Sequence, residues 1–161
     1  MPERIYILTG PIQSGKTTML MQWSANRKDV FGILTPVVDG KRFFLDVSAK
    51  EQFGMEAEPN EENIFTVGRF VFSKRSFEKA INVLTKAFKE KDGWLIVDEI
   101  GPLELRGNGF HDAIMEILKM DIDLKIIFVI RDTILEKALL FYKFDPVEIT
   151  IVDKASDIFN K

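Results

Sequence analysis

The stretch Gly10-Pro11-Ile12-Gln13-Ser14-Gly15-Lys16-Thr17 constrains this chain more than any other, because it fits the spacing G-x-x-x-x-G-K-[ST]. That spacing describes a loop whose backbone amides wrap phosphate groups, and it carries this meaning only between a strand and a helix. Both flanks are present. The apolar run Ile5–Leu8 enters as a buried strand, and Thr17–Ala25 leaves as a helix. The two glycines let N–H groups turn inward with no Cβ in the way. The helix adds unpaired N–H groups and the positive end of its dipole. On this reading Gly10 through Thr18 bind nucleotide phosphates. Lys16 reaches the β- and γ-phosphates, and the Thr17 hydroxyl ligates Mg²⁺.

A second chemical segment lies some eighty residues on, where Trp94-Leu95-Ile96-Val97 runs into Asp98-Glu99. Open α/β sheets bind ligands at the carboxyl ends of their strands, so this acidic pair and the loop after Leu8 should converge. Asp98 is then the second Mg²⁺-holding group, and Glu99 the base that orients and deprotonates an attacking water. Arg131 ends the following apolar strand, Leu124–Ile130. An arginine there can stabilise charge on the transferring phosphoryl group. The competing account is a surface arginine paired with Asp132.

With 161 residues and 46% apolar content, the chain is expected to form one packed domain spanning residues 1–161. Fourteen phenylalanines predict an aromatic-rich core. A net charge of −3 with no lysine or arginine block argues against a nucleic-acid duplex as partner. The absence of cysteine excludes disulfides, thiolate zinc sites and thiol nucleophiles. The N-terminus does not read as a signal peptide, and the apolar run Ile126–Ile130 falls far short of the roughly 18 residues a membrane span needs. The expectation is a monomer in the cytoplasm, away from membranes.

Between the two chemical segments, Asp39-Gly40 separates β-prone runs and predicts an antiparallel hairpin within Phe31–Val47, with Arg42 a solvated strand residue. Lys50–Asn63 reads as an acidic loop. Ile64–Phe72 reads as an irregular apolar segment beside the sheet; the sharper alternative is a flap that carries Arg69 to the phosphates. Ser73–Lys89 has helical periodicity, with Ser76 or Ser73 as its cap. Asn108 is expected to cap a helix over His111–Lys119, with His111 solvated in its first turn. Thr133 is expected to cap another through Leu140, before a last strand within Pro146–Val152.

Three segments together, Gly10–Thr18 (GPIQSGKTT), Val67–Ala80 (VGRFVFSKRSFEKA) and Ile96–Leu105 (IVDEIGPLEL), resemble the small P-loop nucleoside-triphosphatases of the cancer-related type. The hairpin region from Gly32 to Asp46 resembles that family's inserted strands, and the likeness extends to about Arg131. The resemblance implies a three-layer, RecA-like α/β fold with a mostly parallel sheet and an inserted antiparallel hairpin. It also implies Mg²⁺-dependent hydrolysis of ATP, GTP and other triphosphates to diphosphate and phosphate. Nucleotide binding carries over to Gly10–Thr17 and to Ile96–Pro102, which includes Gly101. No N-K-x-D element is present to read guanine, so a broad base range is expected. Two other readings use the same loop: a small-molecule or nucleotide kinase with its acceptor site near Arg69–Arg75, and a nucleotide-binding switch without turnover.

Overall fold

Successive side chains of a strand point to opposite faces, so strands that are apolar throughout must be covered on both sides. The computed structural model, which describes residues 4–11, 14–90, 92–121, 123–153 and 156–159, shows that arrangement. In chain order the elements are β1 (Ile5–Gly10), α1 (Lys16–Ser24), β2 (Val30–Leu34), β3 (Val37–Val38), β4 (Lys41–Asp46), β5 (Glu51–Gly54), β6 (Ile64–Val67), β7 (Phe70–Ser73), α2 (Lys74–Ala87), β8 (Trp94–Asp98), α3 (His111–Lys119), β9 (Lys125–Arg131), α4 (Leu135–Phe141), β10 (Ile149–Val152) and α5 (Ser156–Phe159). The main sheet runs β10-β1-β9-β8-β2-β4-β3, with β5 paired to β4. From β10 to β2 the pairs are parallel; β4 joins β2 antiparallel and begins the insertion.

The two faces carry separate cores. Ile5, Ile7, Leu95, Val97, Ile126 and Phe128 pack toward α2, α3 and α4, whose inward residues include Leu84, Ile117 and Ala138. Their neighbours Tyr6, Leu8, Ile96, Ile127 and Val129 pack toward Leu20 of α1 and Ile158 of α5. This is the three-layer, RecA-like P-loop architecture with an antiparallel insertion. The first face is rich in phenylalanine near the insertion, where Phe44, Phe77 and Phe110 contact one another at centroid separations of 5.0–5.8 Å.

The Asp39-Gly40 turn forms, with φ of +52° and +78° and Val38 opposite Lys41. Positive φ at both central residues is the geometry whose twist suits a two-residue hairpin. The residues before it behave differently from the expectation, because Val30–Leu34 is a parallel strand of the central sheet, paired with β8. The acidic stretch after Lys50 is not loop throughout, since Glu51–Gly54 pairs with β4. Ile64–Ser73 is an ordered two-stranded hairpin and not an irregular segment. Ser73 caps α2, its hydroxyl accepting the N–H of Ser76 at 3.2 Å.

Two expected caps fail. Neither α3 nor α4 has a side-chain cap, so Asn108 and Thr133 do not act as one. Asn108 contributes only its carbonyl, to the N–H of His111. His111 is half-buried, its Nδ1 3.0 Å from the Tyr142 hydroxyl and its ring against Phe141.

Candidate active site

Gly15 sits at the start of α1 with φ of +82°. Nothing lies within 4 Å of a Cβ built there, so glycine is required by backbone conformation and not by space. The turn aims the first residue of the helix, Lys16, back over the loop. Its ammonium donates to the carbonyls of Gly10 (3.1 Å) and Pro11 (2.8 Å) and to the hydroxyl of Ser14 (3.1 Å). Burial pulls its pKa below the ordinary lysine value, and the carboxylates of Glu99 and Asp98 oppose that pull. Thr18 is exposed one residue past Thr17, and Ile12 and Gln13 lie outside the described residues.

The strand order decides how this loop meets the acidic pair. Because β9 lies between β1 and β8, the loop strand and the acid strand are two strand spacings apart, roughly 10 Å. The first turn of α1 spans that gap. Thr17 donates its hydroxyl proton to Oδ2 of Asp98 at 2.8 Å, and the N–H of Thr35, just past β2, donates to the same oxygen at 3.0 Å. Asp98 is only 2% exposed. Burial pushes its carboxyl up to about 6, with Glu99 adding to the rise and the Thr17 and Thr35 bonds opposing it.

The place of β9 between β1 and β8 also explains Arg131. It ends β9 directly opposite Gly10 of β1, between the phosphate loop and the acids. Its Nη2 donates to Oε1 of Glu99 at 3.0 Å, so its partner is Glu99 and not Asp132. Its Nε–H is buried without an acceptor among the described residues. Glu99 is held in place from behind, because the N–H of Ile100 bonds to Val129 of β9.

Glu104 was not singled out by the motif arguments, although it is the second glutamate of the D-E-I-G-x-x-E-L segment. It is 3% exposed and clamps the turn that follows the acids. Oε1 accepts from the N–H of Gly101 (2.8 Å), and Oε2 from that of Phe110 (2.9 Å). Gly109, at φ +59°, makes room: a Cβ there would come within 2.0 Å of Oε2. Burial pushes the Glu104 carboxyl up to about 8 against the pull of those donors. The N–H of Gly101 is thereby committed within the turn.

Two cavities open at this edge. The larger, about 780 Å³, runs from Ser14–Thr18 along α1 to β3. The smaller, about 370 Å³, is walled by Arg69 and Phe70 of the 64–73 hairpin, by Phe72 and Phe77, and by the Gly101–Glu104 turn. Thr35, Arg42, Asp98, Glu99 and Arg131 line both. Of the expected site residues, Ser14 to Thr18, Asp98, Glu99 and Arg131 share the larger cavity, while Gly101 lines only the smaller. Arg42 and Thr35 are additions; Thr35 contributes through its backbone, which carries no sequence signal. Thr17 and Asp98 bring two oxygen donors together. Among the described residues no cluster of three or more His, Asp or Glu exists that would form an all-protein metal cage. Two hard oxygen donors with the remaining positions left to phosphate and water suit a hard divalent cation.

A lysine-bearing phosphate loop, tied through the next residue to a buried acid across a RecA-like sheet, defines the class as a P-loop nucleotide-binding protein. The model of the NTPase family matches residues 5–155, and the chain belongs to that family of small P-loop nucleoside-triphosphatases. Among its relatives, a protein named nucleoside-triphosphatase THEP1 from Thermotoga sp. (strain RQ2) is 29% identical over 121 residues, covering 73% of this chain and 69% of its own. One of the same name from Methanopyrus kandleri (strain AV19) is 30% identical over 123 residues, covering 71% and 66%. The crystal structure of THEP1 from the hyperthermophile Aquifex aeolicus shares the fold, with a TM-score of 0.75 at 22% identity over 92% of this chain and 88% of that one. Among the described residues no helix is long and apolar enough to cross a membrane.

Proposed function

We propose that this chain, acting as one nucleotide-binding domain, hydrolyses nucleoside triphosphates of broad base range to diphosphate and phosphate with Mg²⁺. The observation that carries the reading is the 2.8 Å bond from Thr17 to Asp98, which joins the phosphate loop to the acid strand across 81 positions of sequence. The Lys16 ammonium exchanges its loop carbonyls for β- and γ-phosphate oxygens. Thr17 and Asp98 would hold the metal, which when bound would supply neutralisation of phosphate charge. Glu99 accepts the proton of the attacking water while its oxygen bonds to the γ-phosphorus and the bond to the bridging oxygen breaks. Arg131 keeps Glu99 in position through Nη2, and its Nε–H, which has no acceptor among the described residues, is the donor left for the equatorial oxygens. Base discrimination is weak because the chain lacks an N-K-x-D element.

The test is phosphate release from ATP, GTP, CTP and UTP with Mg²⁺ and with excess chelator. Wild type should release phosphate from all four and lose activity on chelation. Glu99→Gln should bind triphosphate normally and turn over ~100-fold more slowly, the scale for a positioned base. Equal turnover by this variant would remove Glu99 from the mechanism.

A further inference from the structure

The smaller cavity opens off the reacting end of the triphosphate, and its hairpin wall has no role in the hydrolysis proposed above. That end is fixed by Asp98 and Glu99, which line both cavities. Its volume of about 370 Å³ lies within the range of small-ligand sites. Its walls combine aromatic faces (Phe70, Phe72, Phe77) with guanidinium groups on the hairpin side, and the carboxylates of Asp98, Glu99 and Glu104 lie on the opposite side. Arg42 and Arg69 stand 5.3 and 5.2 Å from the centre of the same Phe70 ring. Among the described residues neither forms an ion pair, in contrast to Arg131. Guanidinium groups without an ion pair, set beside an aromatic wall, can take an anion at that side of the cavity, and the planar fork suits phosphate.

We propose that this cavity binds a second substrate, a small phosphate monoester carrying a flat ring, and that the γ-phosphoryl group is transferred to it. Arg42 and Arg69 hold the monoester phosphate, and the ring lies against the phenylalanines. An oxygen of that phosphate attacks the γ-phosphorus, and the bond from the γ-phosphorus to the bridging oxygen breaks. The electron pair leaves on the nucleoside diphosphate. The acceptor becomes a diphosphate in turn, and as a dianion it releases no proton. Holding both reactants at one edge gives transfer its advantage over water. Hydrolysis is then the reaction when the second cavity holds no acceptor. The proposal rests on triphosphate binding at the phosphate loop.

The test titrates AMP, GMP, CMP, UMP and phenyl phosphate into protein loaded with Mg²⁺ and the β,γ-imido analogue of ATP. The same compounds are then supplied with γ-labelled ATP. At least one should bind with a Kd below about 1 mM and carry label into its diphosphate at least tenfold faster than label enters free phosphate. Arg69→Ala should weaken monoester binding roughly tenfold or more, the scale of a charge-assisted contact, while Arg69→Lys restores part of it. Arg69 is exposed at the hairpin tip, so both variants should fold. Binding of none of the five, binding without label transfer, or unchanged affinity in Arg69→Ala each overturns the proposal. The imido-ATP titration is run on the same sample. Its loss overturns the triphosphate reading as well; its retention confines the failure to the second site.

Discussion

The two cavities at the sheet edge share a wall and are built in opposite ways. The loop cavity is made by backbone that the parallel sheet dictates, namely the end of β1, the first turn of α1 and the ends of β9 and β8. Its cation, Lys16, is already satisfied by loop oxygens. The smaller cavity is walled largely by side chains of the inserted strands, and two of its three arginines, Arg42 and Arg69, rest their guanidinium groups on the Phe70 ring with no ion pair among the described residues. A group held by its own loop can give up its hydrogen bonds to one ligand of fixed geometry. Guanidinium groups that form no ion pair keep their donors available to an incoming anion. The first cavity therefore carries what any triphosphate shares, and the second carries what distinguishes this chain's insertion.

The largest effect that separates the two is expected from Lys16→Ala. Removing the ammonium should lower kcat/KM for ATP about 1000-fold, the upper range for removal of a preorganised charge donor. The thermal midpoint should barely move, because the lost bonds are local to the loop. Activity within tenfold of wild type, measured by phosphate release, would mean that the triphosphate does not depend on the loop cavity.

Next in size is Arg131→Ala, which acts on the shared wall. It removes the donor to Glu99 and the free Nε–H, so kcat should fall ~100-fold while KM for ATP changes far less. A change in KM alone would make Arg131 a binding residue only. It would also weaken the link between the two cavities.

The difference between the cavities is also a difference in legibility. The meeting of the loop and the acids is legible because phosphate and metal chemistry demands particular residue types at particular spacings, and the fold brings Lys16, Thr17, Asp98 and Glu99 to one cavity. What could not be read is the long-range pairing. Nothing near Arg131 says that its strand slots between β1 and β8, yet that order brings its guanidinium to Glu99 and not to Asp132. Phe31–Leu34 reads as part of the hairpin region because the Asp-Gly turn that follows is a stronger local signal than a short apolar strand. Glu51–Gly54 presents a single large apolar residue, Phe53, so its charge reads as loop; β4 recruits it regardless. Glu104 falls in a turn segment with no local signal for a role, and only the tertiary fold shows two N–H donors closing around it. The failed caps of Asn108 and Thr133 have the same root, since capping depends on side-chain direction and competing contacts that sequence position does not fix.

The smallest expected effect concerns the turn that floors the second cavity. Glu104 holds its proton up to a pKa of about 8 in the folded chain, whereas an unfolded glutamate titrates near 4.5. Below the lower value both states are protonated, and pH has no effect through this group. Between the two values the folded state binds more protons, so stability falls as pH rises, by at most about 1.4 kcal/mol per pH unit. Above the upper value the loss is complete and the curve flattens. Asp98 acts in the same direction but is spent about one unit above its value near 6, so the window from 7 to 8 is left to Glu104 of the two. Denaturant titrations across that window should show stability declining in wild type. In Glu104→Gln the slope should shrink toward zero, because an amide does not titrate. The variant will start from a lower stability, since its NH₂ must face one of the two backbone donors. An undiminished slope in Glu104→Gln would show that the turn carries no titrating charge. The second cavity would then be floored by packing alone.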